Sequence, residues 1–93
     1  MTLIVKNGRV IDPAQQLDTI ADVLISDGNI RTIGQNLTAP GADLFDATGC
    51  VVAPGFYDIH VHLREPGFED SETIASGAQC ALVGGFTTIC CMP

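Results

Sequence analysis

The stretch FYDIHVHLREPG, Phe56 to Gly67, sets His60, His62 and Arg64 on alternate residues of an otherwise apolar run. A β-strand sends residues i, i+2 and i+4 to one face. The spacing therefore predicts one wall made of Asp58, His60, His62 and Arg64, and a second made of Ile59, Val61 and Leu63. The second wall is ordinary packing. The first places three nitrogen-bearing side chains where a core strand would carry apolar ones.

The residues that follow say what kind of strand this is. REPGFEDSE, residues 64–72, is a loop with a turn at Pro66-Gly67. TIASGAQCALVGG, residues 73–85, carries Ile74, Ala78, Ala81 and Leu82 at i, i+4, i+7 and i+8, the spacing of one helical face. Asp70 or Ser71 is the expected N-cap, Glu69 and Glu72 suit the positive end of the helix, and Gly84-Gly85 supplies the stop. FTTIC, residues 86–90, is rich in β-branched residues and reads as a strand. Strand, helix, strand is a βαβ unit and implies a parallel sheet. Functional groups in such sheets gather at the carboxyl ends of strands, where His60, His62 and Arg64 fall. Two parallel strands and one helix do not enclose a core, so the sequence is expected to be incomplete.

Upstream, the chain reads as short strands and tight turns. LIVK-NG-RVID predicts a hairpin with Asn7-Gly8 in a type I′ turn, and DVLIS-DGN-IRTIG repeats the pattern at Asp27-Gly28. DLFDATGCVVAP, residues 43–54, offers one more strand and turn, and Pro54-Gly55 marks a joint between two units.

Net charge is −7, from 4 basic and 11 acidic residues, which argues against nucleic acid or an anionic membrane surface as a partner. After Arg31 the only Lys or Arg is Arg64, so its place beside two histidines stands out. No run approaches the roughly 18 apolar residues of a membrane span. The N-terminus lacks a signal-peptide pattern, which makes the cytoplasm the default compartment. Cys50, Cys80, Cys90 and Cys91 form no CxxC and are expected to be small buried hydrophobes.

Two imidazoles on one face are within reach of one ion, and neutral imidazole is a common zinc ligand. A satisfied core histidine is the ordinary alternative for either one alone. Arg64 suits a bidentate clamp on a carboxylate or phosphate, against the alternative of a solvated loop charge. Asp58 is a candidate to orient a ligand from behind, with a buried carboxylate paired elsewhere as its alternative. Glu65, Glu69, Asp70 and Glu72 read as solvated charges and helix-start acids.

These residues carry a resemblance. PGFYDIHVHLREPG and GAQCALVGGFTTICCMP resemble the start of the dihydroorotases of the amidohydrolase superfamily, and LIVKNGRVIDP and ADVLISDGNIRTIG resemble that family's first strands. The resemblance implies an α/β fold, the start of a (β/α)8 TIM-type barrel preceded by strands of a small β-sandwich. Residues 1–53 would be the sandwich share, and residues 54–93 the first barrel strand, first helix and second strand. A complete barrel takes about 250 residues.

By the family pattern His60 and His62 are zinc ligands, at a site of two ions or one, and Arg64 holds the substrate carboxylate. No catalytic residue falls in this chain. The catalytic aspartate, two further histidines and a bridging carboxylate (usually a carboxylated lysine) are expected downstream, with an asparagine just after Pro93. Ser71 stands where many relatives carry lysine. The implied reaction is reversible hydrolysis of dihydroorotate to N-carbamoyl-L-aspartate in pyrimidine synthesis, with the metal activating water and polarising the carbonyl. The expected partners are the rest of the barrel, a second copy of the chain in a homo-oligomer, and aspartate carbamoyltransferase as a candidate. Allantoinase and dihydropyrimidinase are the nearest alternatives, separated by Arg64, since their substrates lack the carboxylate. A non-catalytic assembly partner and a free-standing zinc module are the readings from other classes.

Overall fold

The computed structural model describes all of residues 1–93, in two compact units, Met1–Pro54 and Gly55–Pro93. The fold is mixed α/β and mostly strand.

The first unit is a five-stranded sheet. Strand β1 (Thr2–Asp12) pairs antiparallel with β2 (Leu17–Ser26), which pairs antiparallel with β3 (Asn29–Gly34). On its other edge β1 runs parallel to β4 (Asp43–Asp46) and then to β5 (Val51–Val52). A 3-10 turn over Pro13–Gln15 joins β1 to β2. The expected hairpin at Asp27-Gly28 is present: both residues have positive φ, 51° and 77°, and the turn connects Ser26 to Asn29.

The expected hairpin at Asn7-Gly8 is absent. Asn7 does take φ 62°, but as part of a bulge inside an eleven-residue strand. Val5 faces Val23 and Gly8 faces Ala21, three steps on β1 against two on β2. The buried Asp22 fills the gap. Its carboxylate accepts the Asn7 N–H (2.9 Å), the Leu37 N–H (3.0 Å) and the Lys6 ammonium (2.6 Å). A local Asn-Gly signal specifies positive φ, and a distant carboxylate decided what that φ was used for. Gly8 is favoured by close packing and not by its φ: a Cβ there would stand 2.5 Å from Val52 Cγ2. Past the bulge, β1 exchanges its parallel partner from β4 to β5. The core is Val10, Ala21 and Val23, with Val5, Leu17, Ile25, Ile33 and Val52 packed around them.

The second unit is the strand–helix–strand that the sequence predicts. Strands β6 (Phe56–Val61) and β7 (Phe86–Cys91) are parallel, and α1 (Ile74–Val83) connects them. The N-cap is Thr73, not Asp70 or Ser71. Its hydroxyl accepts the Ser76 N–H (3.1 Å), and the Ser76 hydroxyl accepts the Thr73 N–H (2.9 Å). This reciprocal box satisfies two free donors, which neither alternative achieves. No acid lies in the first turn, so Glu69 and Glu72 are not helix-start residues. Gly85, at φ 88°, ends the helix as expected.

The helix face also differs from expectation. Ile74 and Leu82 are exposed, and the packed positions are Gly77, which is buried, and Ala81, which is half-buried. Small residues let the helix approach the sheet closely. All four cysteines are exposed rather than buried. In β7, Phe86 and Ile89 are half-buried, whereas Cys90 and Cys91 lie open to solvent.

Candidate metal centre

Strand β6 contains the bulge on which the site turns. Asp58 faces Ile89 and Val61 faces Cys91, three steps on β6 against two on β7. The strict alternation of two walls is therefore broken. Ile59 is 75% exposed while Val61 is half-buried and Leu63 is 7% exposed, so the apolar residues do not share one covered wall. Asp58 serves the bulge itself: its Oδ1 accepts the His60 N–H at 3.1 Å. It is half-buried beside Val61, Gly77, Ala81 and Ile89, and it makes no hydrogen bond to either imidazole. Its observed contact is with the backbone that presents His60, which departs from a ring-orienting partner.

The two histidines do converge. Their ring centroids are 5.2 Å apart, with planes at 70°. Both side chains are exposed, His60 on the last turn of the pleat and His62 one residue past the end of β6. Two imidazoles on one tetrahedral ion, each nitrogen about 2.0–2.1 Å from it, have ring centres about 5 Å apart. The observed separation of 5.2 Å is of that size. No group of three His, Cys, Asp or Glu side chains in the chain is placed to hold a metal.

Arg64 is not in strand register with them. Strand β6 ends at Val61, and Arg64 takes φ 62°, a left-handed conformation that costs a non-glycine residue roughly 1–2 kcal/mol. The turn is closed by the Phe68 N–H, which donates to the Arg64 carbonyl (2.9 Å). The change of direction still leaves Arg64 next to His62. Both line a small hollow with Phe68, Met92 and Pro93, and the Met92 N–H donates to the Val61 carbonyl at 2.8 Å. Strand periodicity named the right neighbour for the wrong reason.

Two acids expected to be solvated are instead used by the loop. Glu65 Oε2 accepts the Ile74 N–H (2.6 Å), the first donor of α1. Glu69 Oε1 accepts the Gly67 N–H (2.9 Å), and that bond holds its carboxyl below the usual range. A signal for Glu65 was present in the sequence, since a carboxylate a short loop away from a helix start is a ready partner for its free N–H groups.

Residues 49–93 match the sequence profile of a family described as Dihydro-orotase-like. Over all 93 residues the chain is 61% identical to the dihydroorotase of Solibacter usitatus and 55% identical to that of Aquifex aeolicus. The chain is similar to the dihydro-orotase-like family. It spans 22% of the length of each of those two relatives.

Solved structures of hydantoinase-type enzymes match the fold of this chain. A crystal structure of a D-hydantoinase is 44% identical, with a TM-score of 0.83 over 96% of this chain and 19% of the neighbour. The dihydropyrimidinase from Brevibacillus agri is 36% identical, with a TM-score of 0.82 over the same shares. The histidine pair lies within the segment that matches the dihydro-orotase-like profile. No helix is long and apolar enough to cross a membrane.

Proposed function

We propose that this chain is part of a dihydroorotase, an enzyme that interconverts dihydroorotate and N-carbamoyl-L-aspartate by opening or closing a cyclic amide. The observation that carries the reading is the convergence of His60 and His62, 5.2 Å between rings, beside a hollow that Arg64 also lines. In this reading β6, α1 and β7 are the first strand, first helix and second strand of a (β/α)8 barrel, and residues 1–53 are part of a small β-sandwich. Parallel pairing of β6 and β7 through α1 supports the barrel assignment. The remaining metal ligands and the catalytic aspartate belong to sequence outside residues 1–93.

His60 and His62, as neutral imidazoles, would hold zinc, in a site of two ions or one. A metal held there would contribute an activated water near neutral pH and polarisation of the carbonyl. The Asp58 carboxylate fixes the bulge that aims His60. Arg64 binds the substrate carboxylate through two parallel hydrogen bonds and so fixes how the ring lies against the histidines.

The test is a direct comparison of dihydroorotate with dihydrouracil, a cyclic amide without the carboxylate, in the metal-loaded protein that carries this chain. Dihydroorotate should have the higher kcat/KM by at least about ten-fold, since a charge-assisted contact contributes about 1.5–3 kcal/mol. Preference for dihydrouracil would favour a dihydropyrimidinase instead, the name carried by a structural neighbour. Hydrolysis of neither would favour a non-catalytic assembly partner.

A further inference from the structure

Arg64 sits between two residues that are both docked on α1. Leu63, before it, is buried against Gly77, where a Cβ would stand 2.5 Å from Leu63 Cδ2. Glu65, after it, is half-buried and accepts the Ile74 N–H at 2.6 Å. With its neighbours anchored on either side, the backbone at Arg64 is committed to its left-handed conformation. Arg64, which is exposed, lines the hollow together with His62.

We propose that Glu65 is the positioning residue for Arg64. Its carboxylate ties the loop to the first free donor of the helix, and this tie sets where the guanidinium meets an anionic substrate. A left-handed arginine is a strained conformation that persists only where its surroundings over-determine it. The Leu63 contact fixes one side of the residue, and the Glu65 hydrogen bond fixes the other. Without it, Arg64 relaxes toward an extended or right-handed conformation and its charge leaves the hollow. The inference rests on the reading of Arg64 as the group that binds the substrate carboxylate.

Two substitutions remove the same hydrogen bond from opposite ends. Glu65→Ala deletes the acceptor. Ile74→Pro deletes the donor at the first helical position, where proline is well tolerated, and the preceding Thr73 is already extended at φ −112°, ψ 165°. Glu65→Gln keeps an acceptor oxygen and is the conservative control. In the metal-loaded protein, Glu65→Ala and Ile74→Pro should each raise KM for dihydroorotate about ten-fold or more, in line with the cost of a misplaced orienting group. Turnover of dihydrouracil and bound metal should stay unchanged, and Glu65→Gln should restore most of the loss. Equal losses on both substrates, or an unchanged KM in Glu65→Ala, would overturn the proposal. Arg64→Ala separates the two levels. If it abolishes the preference for dihydroorotate while Glu65→Ala leaves that preference intact, the positioning role fails and the carboxylate-binding role stands. If Arg64→Ala leaves the preference intact, the underlying reading has failed.

Discussion

Leu63 packs on the bare backbone of Gly77, so closely that a Cβ on that glycine would stand 2.5 Å from Leu63 Cδ2 and 3.1 Å from Glu72 Cδ. The contact explains a glycine in the middle of α1, a position that costs about 1 kcal/mol relative to alanine. Gly77→Ala should change stability by less than about 1 kcal/mol, because the gain in helix propensity offsets a shift of the leucine tip. Gly77→Val brings two more methyl groups to the same place and should cost about 2–3 kcal/mol by overpacking. Urea unfolding of the two variants checks the order. Equal stabilities would mean that α1 does not rest on Leu63.

The bulge in β1 has its own test in Asp22, which is 3% exposed. The Lys6 ammonium holds the Asp22 carboxyl below the usual carboxylate range, helped by the N–H groups of Asn7 and Leu37 and opposed by burial. A carboxyl whose folded value lies below its unfolded value, about 3.9, stabilises the fold fully above that value. The contribution is lost as pH falls through the folded value. Stability of the Met1–Pro54 unit should therefore be flat near neutrality and fall below about pH 4. Asp22→Asn should cost about 3 kcal/mol at pH 7, because it leaves Lys6 without its partner. It should also flatten the acid limb of a denaturation series. An acid limb identical to wild type would place the titration elsewhere.

Arg64→Ala should lower kcat/KM for dihydroorotate by ten- to a hundred-fold, the equivalent of about 1.5–3 kcal/mol. Arg64→Lys keeps the charge and loses the fork, so it should fall between the two. Bound metal should be unaffected, since the proposed role gives the guanidinium a contact with substrate and none with metal. A glycine at this position relieves the left-handed backbone but removes the charge, so Arg64→Gly should be as inactive as Arg64→Ala. Equal losses on dihydroorotate and dihydrouracil in Arg64→Ala would show that the arginine does not read the carboxylate.

Residues 1–93 on their own should hydrolyse neither substrate. Two imidazoles leave a catalytic zinc short of its usual three or so protein ligands. A steady-state assay on the purified segment with added zinc is sufficient, and turnover above that of zinc alone would contradict the proposed division of the site.

The sequence made legible which side chains come together, and less of how they do so. Histidines two apart at a strand end do converge, because one bulge shifts register without separating His60 from His62. The Asp27-Gly28 hairpin was legible because both positive-φ residues and both flanking strands are local. The Asn7-Gly8 dipeptide was misleading. Asn7 takes the positive φ it favours, but Gly8 does not follow it, and Asp22, fifteen residues from Asn7, holds the pair in a bulge. The same limit hid the left-handed turn at Arg64. Glu65 near a helix start signals its own hydrogen bond, but nothing local shows that Leu63 and Glu65 dock together and flank a left-handed Arg64. Exposed cysteines and an exposed Leu82 escaped for a related reason: periodicity identifies a face and not what covers it.

The account depends most on His60 and His62 sharing a metal ion. The direct measurement is zinc bound per protein, by elemental analysis after exhaustive dialysis, in wild type and in the His60→Ala, His62→Ala double variant of the protein that carries this chain. Circular dichroism of both should show the same fold, since both side chains are exposed. The expected result is zinc in the wild type at one or two ions per chain, with at least one ion lost in the double variant and hydrolysis lost with it. Equal zinc content and equal turnover in the two proteins would contradict the account.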